Sequence, residues 1–217
     1  MTAMALAIDT FVTGPLEVNT YVLRSAGECC VVDPGSMTPD RFTRFLTDEG
    51  IDVSRIWLTH GHGDHIAGVT MLKGMFPAAA VHCPAADVDM LTDPARNLST
   101  WYDVSVTASP PDAAIRPGDA LALGETTWEV LDTSGHTPGG VSFYCQADRV
   151  VLTGDALFAG GIGKTEIPGG DMDRLIANIL EGLLALPDET RVLPGHGPET
   201  TIGAERRTNS FLRRPLN

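Results

Sequence analysis

Short runs of apolar and β-branched residues recur at Thr20–Leu23, Cys30–Asp33, Ile56–Thr59, Ala79–His82, Trp128–Asp132, Val141–Tyr144, Val150–Thr153 and Arg191–Leu193. Each is bordered by Gly, Pro or Asp, and short runs with such borders predict strands. Helical spacing predicts helices over Arg41–Glu49 and Ile66–Met75. A third helix is predicted from Leu175, Ile176, Ile179, Leu180, Leu183 and Leu184, behind Asp171 or Asp173 as its cap and ahead of Pro187. Between Trp128 and Thr153 strands follow one another with no helix between them. A purely parallel doubly wound sheet therefore fits poorly, and an α+β fold, a β-rich layered sandwich with outer helices, fits better. Pro94–Gly118 is rich in Pro, Ser and Ala and lacks periodicity, which predicts a long loop over one face.

The chain has 217 residues and is 43% hydrophobic, enough to bury a core in one domain spanning 1–217. No apolar run approaches the ~18 residues of a membrane span, and Met1–Arg24 shows no basic leader ahead of an apolar core, so the expected location is the cytoplasm. The formal charge of −13 disfavours nucleic-acid backbones and anionic membranes as partners. Nothing in the pattern sets an oligomeric state. Cys29, Cys30, Cys83 and Cys145 show no CxxC spacing and two are adjacent, which predicts reduced thiols.

The chemistry concentrates after Ile56–Thr59, where His60, His62, Asp64 and His65 fall within six positions, interleaved with Gly61 and Gly63. The glycines are expected to let the backbone turn tightly, so that alternate side chains share one space. Neutral imidazole and carboxylate are ligands that zinc, iron or manganese accept. Further candidates leave later strand ends beside a glycine: His136 after Trp128–Asp132, Asp155 after Val150–Thr153 and His196 after Arg191–Leu193. Loops at one sheet edge can bring such residues to a common point. His82 has no glycine neighbour and is expected to cap a strand or sit at the surface. Gly160–Thr165 is not a phosphate loop, because GxxxxGK[ST] would need glycine at Phe158. No GxSxG or local Cys-His pair supports a covalent nucleophile.

Five ordered stretches, Val31–Gly35, Leu58–His65, Ser134–Gly139, Leu152–Phe158 and Leu193–Pro198, make the chain resemble the metallo-β-lactamase superfamily. Within it the chain looks like the short, single-domain, glyoxalase II-like (hydroxyacylglutathione hydrolase-like) group. The resemblance implies a four-layer αββα sandwich with the metal site at one edge of the two sheets. It further implies two divalent metal ions, zinc or else iron or manganese. By position, His60, His62 and His136 would hold the first and Asp64, His65 and His196 the second, with Asp155 bridging both and Asp33 supporting the site from beneath. Such a cluster keeps a formal excess of about one positive charge even with a bridging hydroxide, which then serves as nucleophile at neutral pH. Thr59 and Thr137 would orient ligands.

The implied reaction is hydrolysis of S-lactoylglutathione or another acyl-thiol. Lactone or lactam ring opening and single-iron persulfide oxidation are the rivals that the same superfamily offers. Lys164 is expected beside the carrier of the thiol; Arg206 is a second candidate for an anionic substrate, although an arginine near the chain end more often makes a structural salt bridge or caps a helix. The full-length enzymes place a tyrosine two residues after that lysine, where this chain has Glu166, and add a C-terminal helical region, whereas only Pro198–Asn217 follows His196 here.

Overall fold

The computed structural model describes residues 6–213. Its first sheet contains β1 (Ala7–Thr13), β2 (Val18–Ser25), β3 (Glu28–Val32), β4 (Arg55–Trp57), β5 (Ala80–Pro84) and β6 (Ala113–Ile115), side by side in that order. β1 to β3 run antiparallel and β3 to β6 parallel. β7 (Ala120–Leu123), β8 (Thr126–Asp132), β9 (Val141–Cys145) and β10 (Val150–Gly154) begin the second sheet as an antiparallel meander. A hairpin of β11 (Leu157–Phe158) and β12 (Gly161–Ile162) intervenes, after which β13 (Arg191–Pro194) joins β10 in parallel and β14 (Thr200–Thr201) closes the edge. Helices α1 (Arg41–Asp48), α2 (Gly63–Ile66) and α3 (Val69–Met75) cover the first sheet; α4 (Met172–Asn178) and α5 (Ile202–Thr208) cover the second.

The side-chain alternation of a strand explains the layers. Val22, Val31, Ile56 and Val81 pack outward against Phe42, Leu46 and Leu72 of the helices, while Leu23, Cys30, Val32 and Trp57 pack inward. From the second sheet Val130, Phe143, Val150 and Leu152 meet them, and Val151 and Val192 pack outward against Leu175, Ile179 and Ile202. The central strands β2, β3, β9 and β10 are thus buried on both faces, which is why they read as continuous apolar runs. The result is an α+β sandwich with helices outside two packed sheets. Cys29 and Cys30 enter different cores, so adjacency does not pair them, and all four cysteines are free and buried.

Several elements differ from the sequence pattern. The helix expected over Ile66–Met75 is broken at Gly68, whose N–H donates to the Pro34 carbonyl at 2.7 Å and where a side chain would strike Pro34 and Ser36. Asp171 rather than Asp173 caps α4, accepting from the Arg174 N–H at 3.0 Å. That helix continues as a π turn over Ile179–Leu183, which buries Ile179 and Leu183 and leaves Leu180 exposed. Pro94–Gly118 is not structureless: it contains a 3-10 turn at Ser99–Tyr102 and ends in β6. Among the described residues no helix is long and apolar enough to cross a membrane.

Trp57 meets Trp128 edge-on at 6.0 Å and Phe143 at 5.3 Å between ring centroids, making an aromatic knot between the sheets. Phe143 is fully buried there. Phe143→Ala is expected to lower unfolding stability by about 3–5 kcal/mol, read from the urea midpoint at unchanged slope.

Candidate metal centre

Parallel strands deliver their following loops to the same edge. β4 leads into His60–His65, and β8, β10 and β13 lead into His136, Asp155 and His196. All seven side chains meet there. His60 Nε2 faces His62 Nδ1 at 3.1 Å, and the His136 ring lies 5.1 and 4.6 Å from those of His60 and His62. On the other side His65 Nε2 is 3.3 Å from His196 Nε2, and Asp64 Oδ2 is 3.4 Å from His196 Nε2. Asp155 stands between the two groups, with Oδ1 3.3 Å from His65 Nε2 and Oδ2 3.6 Å from both His136 Nε2 and His196 Nε2.

This donor set fits divalent metal. The ligand atoms of His60, His62 and His136 lie within 4.8 Å of one another, as do those of Asp64, His65 and His196. His62 Nε2, His136 Nε2 and Asp155 Oδ1 are buried without a hydrogen-bond partner, an expensive condition unless a cation uses such atoms. Gly195 leaves room at the centre: a methyl group there would fall 2.2 Å from Asp155 Oδ1. Asp33, His60 and His65 also lie close enough to form a third trio, but both Asp33 oxygens already accept hydrogen bonds.

A family model described as the metallo-beta-lactamase superfamily matches residues 13–196. The chain belongs to that superfamily. It is 37% identical over 200 residues to the probable metallo-hydrolase YqgX of Bacillus subtilis, covering 92% of this chain and 94% of that one. It is 34% identical over 183 residues to the hydroxyacylglutathione hydrolase GloC of Haemophilus influenzae, covering 84% and 86%. Among solved structures, the B3 metallo-beta-lactamase BLEG-1 superposes with a TM-score of 0.90 at 36% identity, covering 95% of this chain and 99% of that one. TTHA1623, solved in a di-iron-bound form, superposes at 0.84 with 34% identity, covering 94% and 100%. ETHE1 from Myxococcus xanthus superposes at 0.78 with 26% identity, covering 94% and 83%.

As in other metal sites, what surrounds the donors decides their orientation. Asp33 accepts from His65 Nδ1 at 2.9 Å, from the Thr59 hydroxyl at 2.6 Å and from the Thr59 N–H at 2.8 Å. His65 Nε2 is thereby turned toward Asp155. The Lys164 carbonyl accepts from His136 Nδ1 at 2.6 Å and leaves Nε2 facing the cluster. Lys164 thus acts on the site through its backbone, while its side chain is exposed on the loop beside His136. Arg206 is not brought to the cluster. It donates to the Leu184 carbonyl and, at 3.0 Å, to that of Leu186, and pairs with Asp188. These lie before β13, the end of that strand opposite to His196, so the contacts Arg206 makes are structural ones. His82 remains on β5, its Nδ1 3.2 Å from the Ala80 carbonyl.

Four braces carried no sequence signal. Fully buried Asp87 accepts from the Gly61 N–H at 3.0 Å, the Thr137 hydroxyl at 2.6 Å and the Gly139 N–H at 2.7 Å, tying the His60 loop to the His136 loop. Asn97 supplies its carbonyl to the Gly63 N–H at 2.8 Å. Asn19 Nδ2 donates to the Pro194 and Gly197 carbonyls on either side of His196. Glu205 takes the Gly160 N–H at 2.9 Å and holds the β11–β12 hairpin. Gly61 and Gly63 accordingly serve close approach rather than a special backbone angle. A methyl on Gly61 would meet Met90 Cβ at 2.8 Å and one on Gly63 would meet Ser99 Cβ at 2.8 Å.

The two trios differ in their affinity for protons. Burial, reinforced by neighbouring imidazoles, holds His60 well below the ordinary histidine range and His62 at about 3. For His65 burial pulls in the same direction, but Asp155, Asp64 and Asp33 outweigh it and raise the group well above that range. His196 is also raised, its burial outweighed by the hydrogen bond to Asp64 and by Asp155. A proton on either raised histidine competes with a cation. Metal affinity at Asp64, His65 and His196 should therefore fall as pH drops through values above ~6.5, with proton release on binding. His60 and His62 have no proton to release at those pH values. Calorimetric zinc titration of metal-free protein in buffers of different ionisation enthalpy, for the wild type and His196→Ala, checks this: proton release should shrink in the variant. Asp87→Ala, which strands three donors, should cost about 2–3 kcal/mol in urea unfolding and weaken zinc affinity by ~10–100-fold against a chelator.

Proposed function

We propose that this metallo-hydrolase is a binuclear thioester hydrolase acting on S-lactoylglutathione or another acyl-thiol. The observation that carries the binuclear reading is Asp155, within 3.6 Å of histidines from both trios. His60, His62 and His136 would hold one ion, Asp64, His65 and His196 a second, and the Asp155 carboxylate would be shared. Zinc, iron and manganese all suit this donor set. Two divalent ions held there would supply positive charge that lets water act as a nucleophile near neutral pH and that stabilises the oxyanion developing on the attacked carbonyl.

The chain's own part is to hold that arrangement before substrate arrives. Asp33 keeps His65 turned inward and, through Thr59, whose hydroxyl is 3.0 Å from His60 Nδ1, steadies His60 as well. The Lys164 carbonyl fixes the proton of His136 on Nδ1 and leaves Nε2 free to donate electrons. Asp64 and Asp155 are kept ionised: burial opposes their charge, but His65 and the other histidines around them outweigh it and hold both carboxyls below the usual range. The exposed Lys164 ammonium, on the loop beside His136, is available to a carboxylate of the thiol carrier. All four thiols lie buried away from solvent, which supports a mechanism without a cysteine nucleophile.

The likeness to GloC supports the thioester as substrate, and the likeness to BLEG-1 supports ring opening of a lactam as a second reading. One preparation separates them. Metal content of about two ions per chain, with turnover of S-lactoylglutathione exceeding that of a β-lactam and a homoserine lactone, is the expected result. Asp155→Asn should lose ~100-fold or more in thioester kcat/KM together with part of the metal. About one iron per chain, with oxygen uptake on glutathione persulfide and no thioester turnover, would overturn the proposal.

A further inference from the structure

Segment 85–112 leaves the first sheet at the carboxyl end of β5, the edge at which the parallel strand β4 delivers His60. It is fixed there by Asp87 beneath Gly61 and by the Asn97 carbonyl on the Gly63 N–H. Asn97 is itself immobilised: its Nδ2 donates to the Met90 and Val106 carbonyls at 2.9 Å each, and its Oδ1 accepts from the Ser99 N–H at 3.1 Å. On this base stands the closed turn Ser99–Tyr102, joined by the Trp101 N–H to Leu98 carbonyl bond at 3.0 Å and the Asp103 N–H to Thr100 carbonyl bond at 3.3 Å. The chain then descends, burying Val106 and Ala108 in the helix-side core. The turn is therefore the part of the segment that projects, next to the loop carrying His62 and Asp64.

Its base is strained. Leu98 holds a left-handed φ of 64°, which a leucine adopts only where its surroundings impose it, and Asp103 follows at 57°, a conformation that aspartate tolerates better. Its tip presents Trp101 and Tyr102, 58% and 57% exposed, followed by Val104 at 41%. Arg96, just before the turn, is engaged by Asp89 at 3.0 Å and Asp93 at 4.0 Å. The tip thus offers aromatic surface and no free cation, its charged side chain being the exposed carboxylate of Asp103. On the His136 side of the cluster the loop offers the opposite, the exposed Lys164.

The two halves of a thioester extend in different directions from the reacting carbonyl. A carboxylate-bearing carrier suits the Lys164 side, which leaves the aromatic turn to the acyl half. We propose that Trp101 and Tyr102 form the wall that receives the acyl group, and that the preferred substrates carry a bulky apolar or aromatic acyl group in place of the small hydroxylated lactoyl group. This inference rests on the thioesterase reading above.

The test uses zinc-loaded wild type and the double variant Trp101→Ala/Tyr102→Ala with two glutathione thioesters, phenylacetyl and lactoyl. Wild type is expected to favour phenylacetyl by ~10-fold or more in kcat/KM, and the variant to lose that ratio by a similar factor at unchanged zinc content. A binding readout stands apart from turnover. Of the three tryptophans, Trp57 and Trp128 are fully buried, so acrylamide quenching reports Trp101. S-benzylglutathione should shield Trp101 from the quencher, and S-methylglutathione should not. Turnover of both thioesters with no preference, equal loss on both in the variant, or no shielding would overturn this proposal alone. Absence of any thioester turnover in the zinc-loaded wild type would overturn the thioesterase reading and this inference with it.

Discussion

The carboxylate of Asp33 is the contact on which the metal edge depends. It sits 2% exposed just beyond β3, in a left-handed backbone conformation with φ of 49°, and accepts from Thr59 twice and from His65 once. An aspartate tolerates that conformation better than most residues. Its three bonds join the end of β3, the end of β4 and the short helix α2, three pieces of chain that the sheet by itself would leave to diverge. Without a buried acceptor at this point, His65 would have no fixed tautomer and the Thr59 N–H would lie in the core unpaired.

The same logic extends outward. The seven clustered side chains arrive on four separate loops, and loops are the least rigid way to carry a site. Here the loops are bolted to their neighbours by buried polar residues: the side chains of Asp87 between the His60 and His136 loops, Asn19 beneath the His196 loop and Glu205 behind the β11–β12 hairpin, and the backbone carbonyl of Asn97 beside Gly63. Each of these side chains has backbone partners, and Asp87 and Glu205 also accept from side-chain donors, so burying them adds rigidity without an orphaned charge. At the centre, by contrast, buried atoms of His62, His136 and Asp155 are left unpartnered, where a cation would use them.

The layered fold was legible because its cause is local. Apolar runs that alternate between two buried faces require a layer on each side, and the absence of helices between β8, β9 and β10 points to a sandwich rather than a doubly wound sheet. Elements at the margins were not legible. β1, β7 and β14 lie toward the sheet edges, where one side is exposed and the apolar signal thins, and the single turn at Ser99–Tyr102 is held by contacts with Asn97, distant Val106 and Gly63 rather than by its own periodicity. The break at Gly68 likewise comes from a neighbour, the Pro34–Ser36 turn pressing on the helix start.

By itself the sequence determined the alternation that builds two sheets, and it named the histidines and aspartates that gather at their edge, because residue types so costly to bury side by side mark themselves. Tertiary structure decided everything that depends on distance between remote parts of the chain. It set Arg206 beneath the carbonyls of Leu184 and Leu186, far along β13 from His196. It gave Lys164 a backbone role toward His136, and it recruited Asp87, Asn97, Asn19 and Glu205 as braces. An aspartate that braces a fold and one that lies in solvent look alike in sequence. Only the burial and the partners supplied by folding separate them.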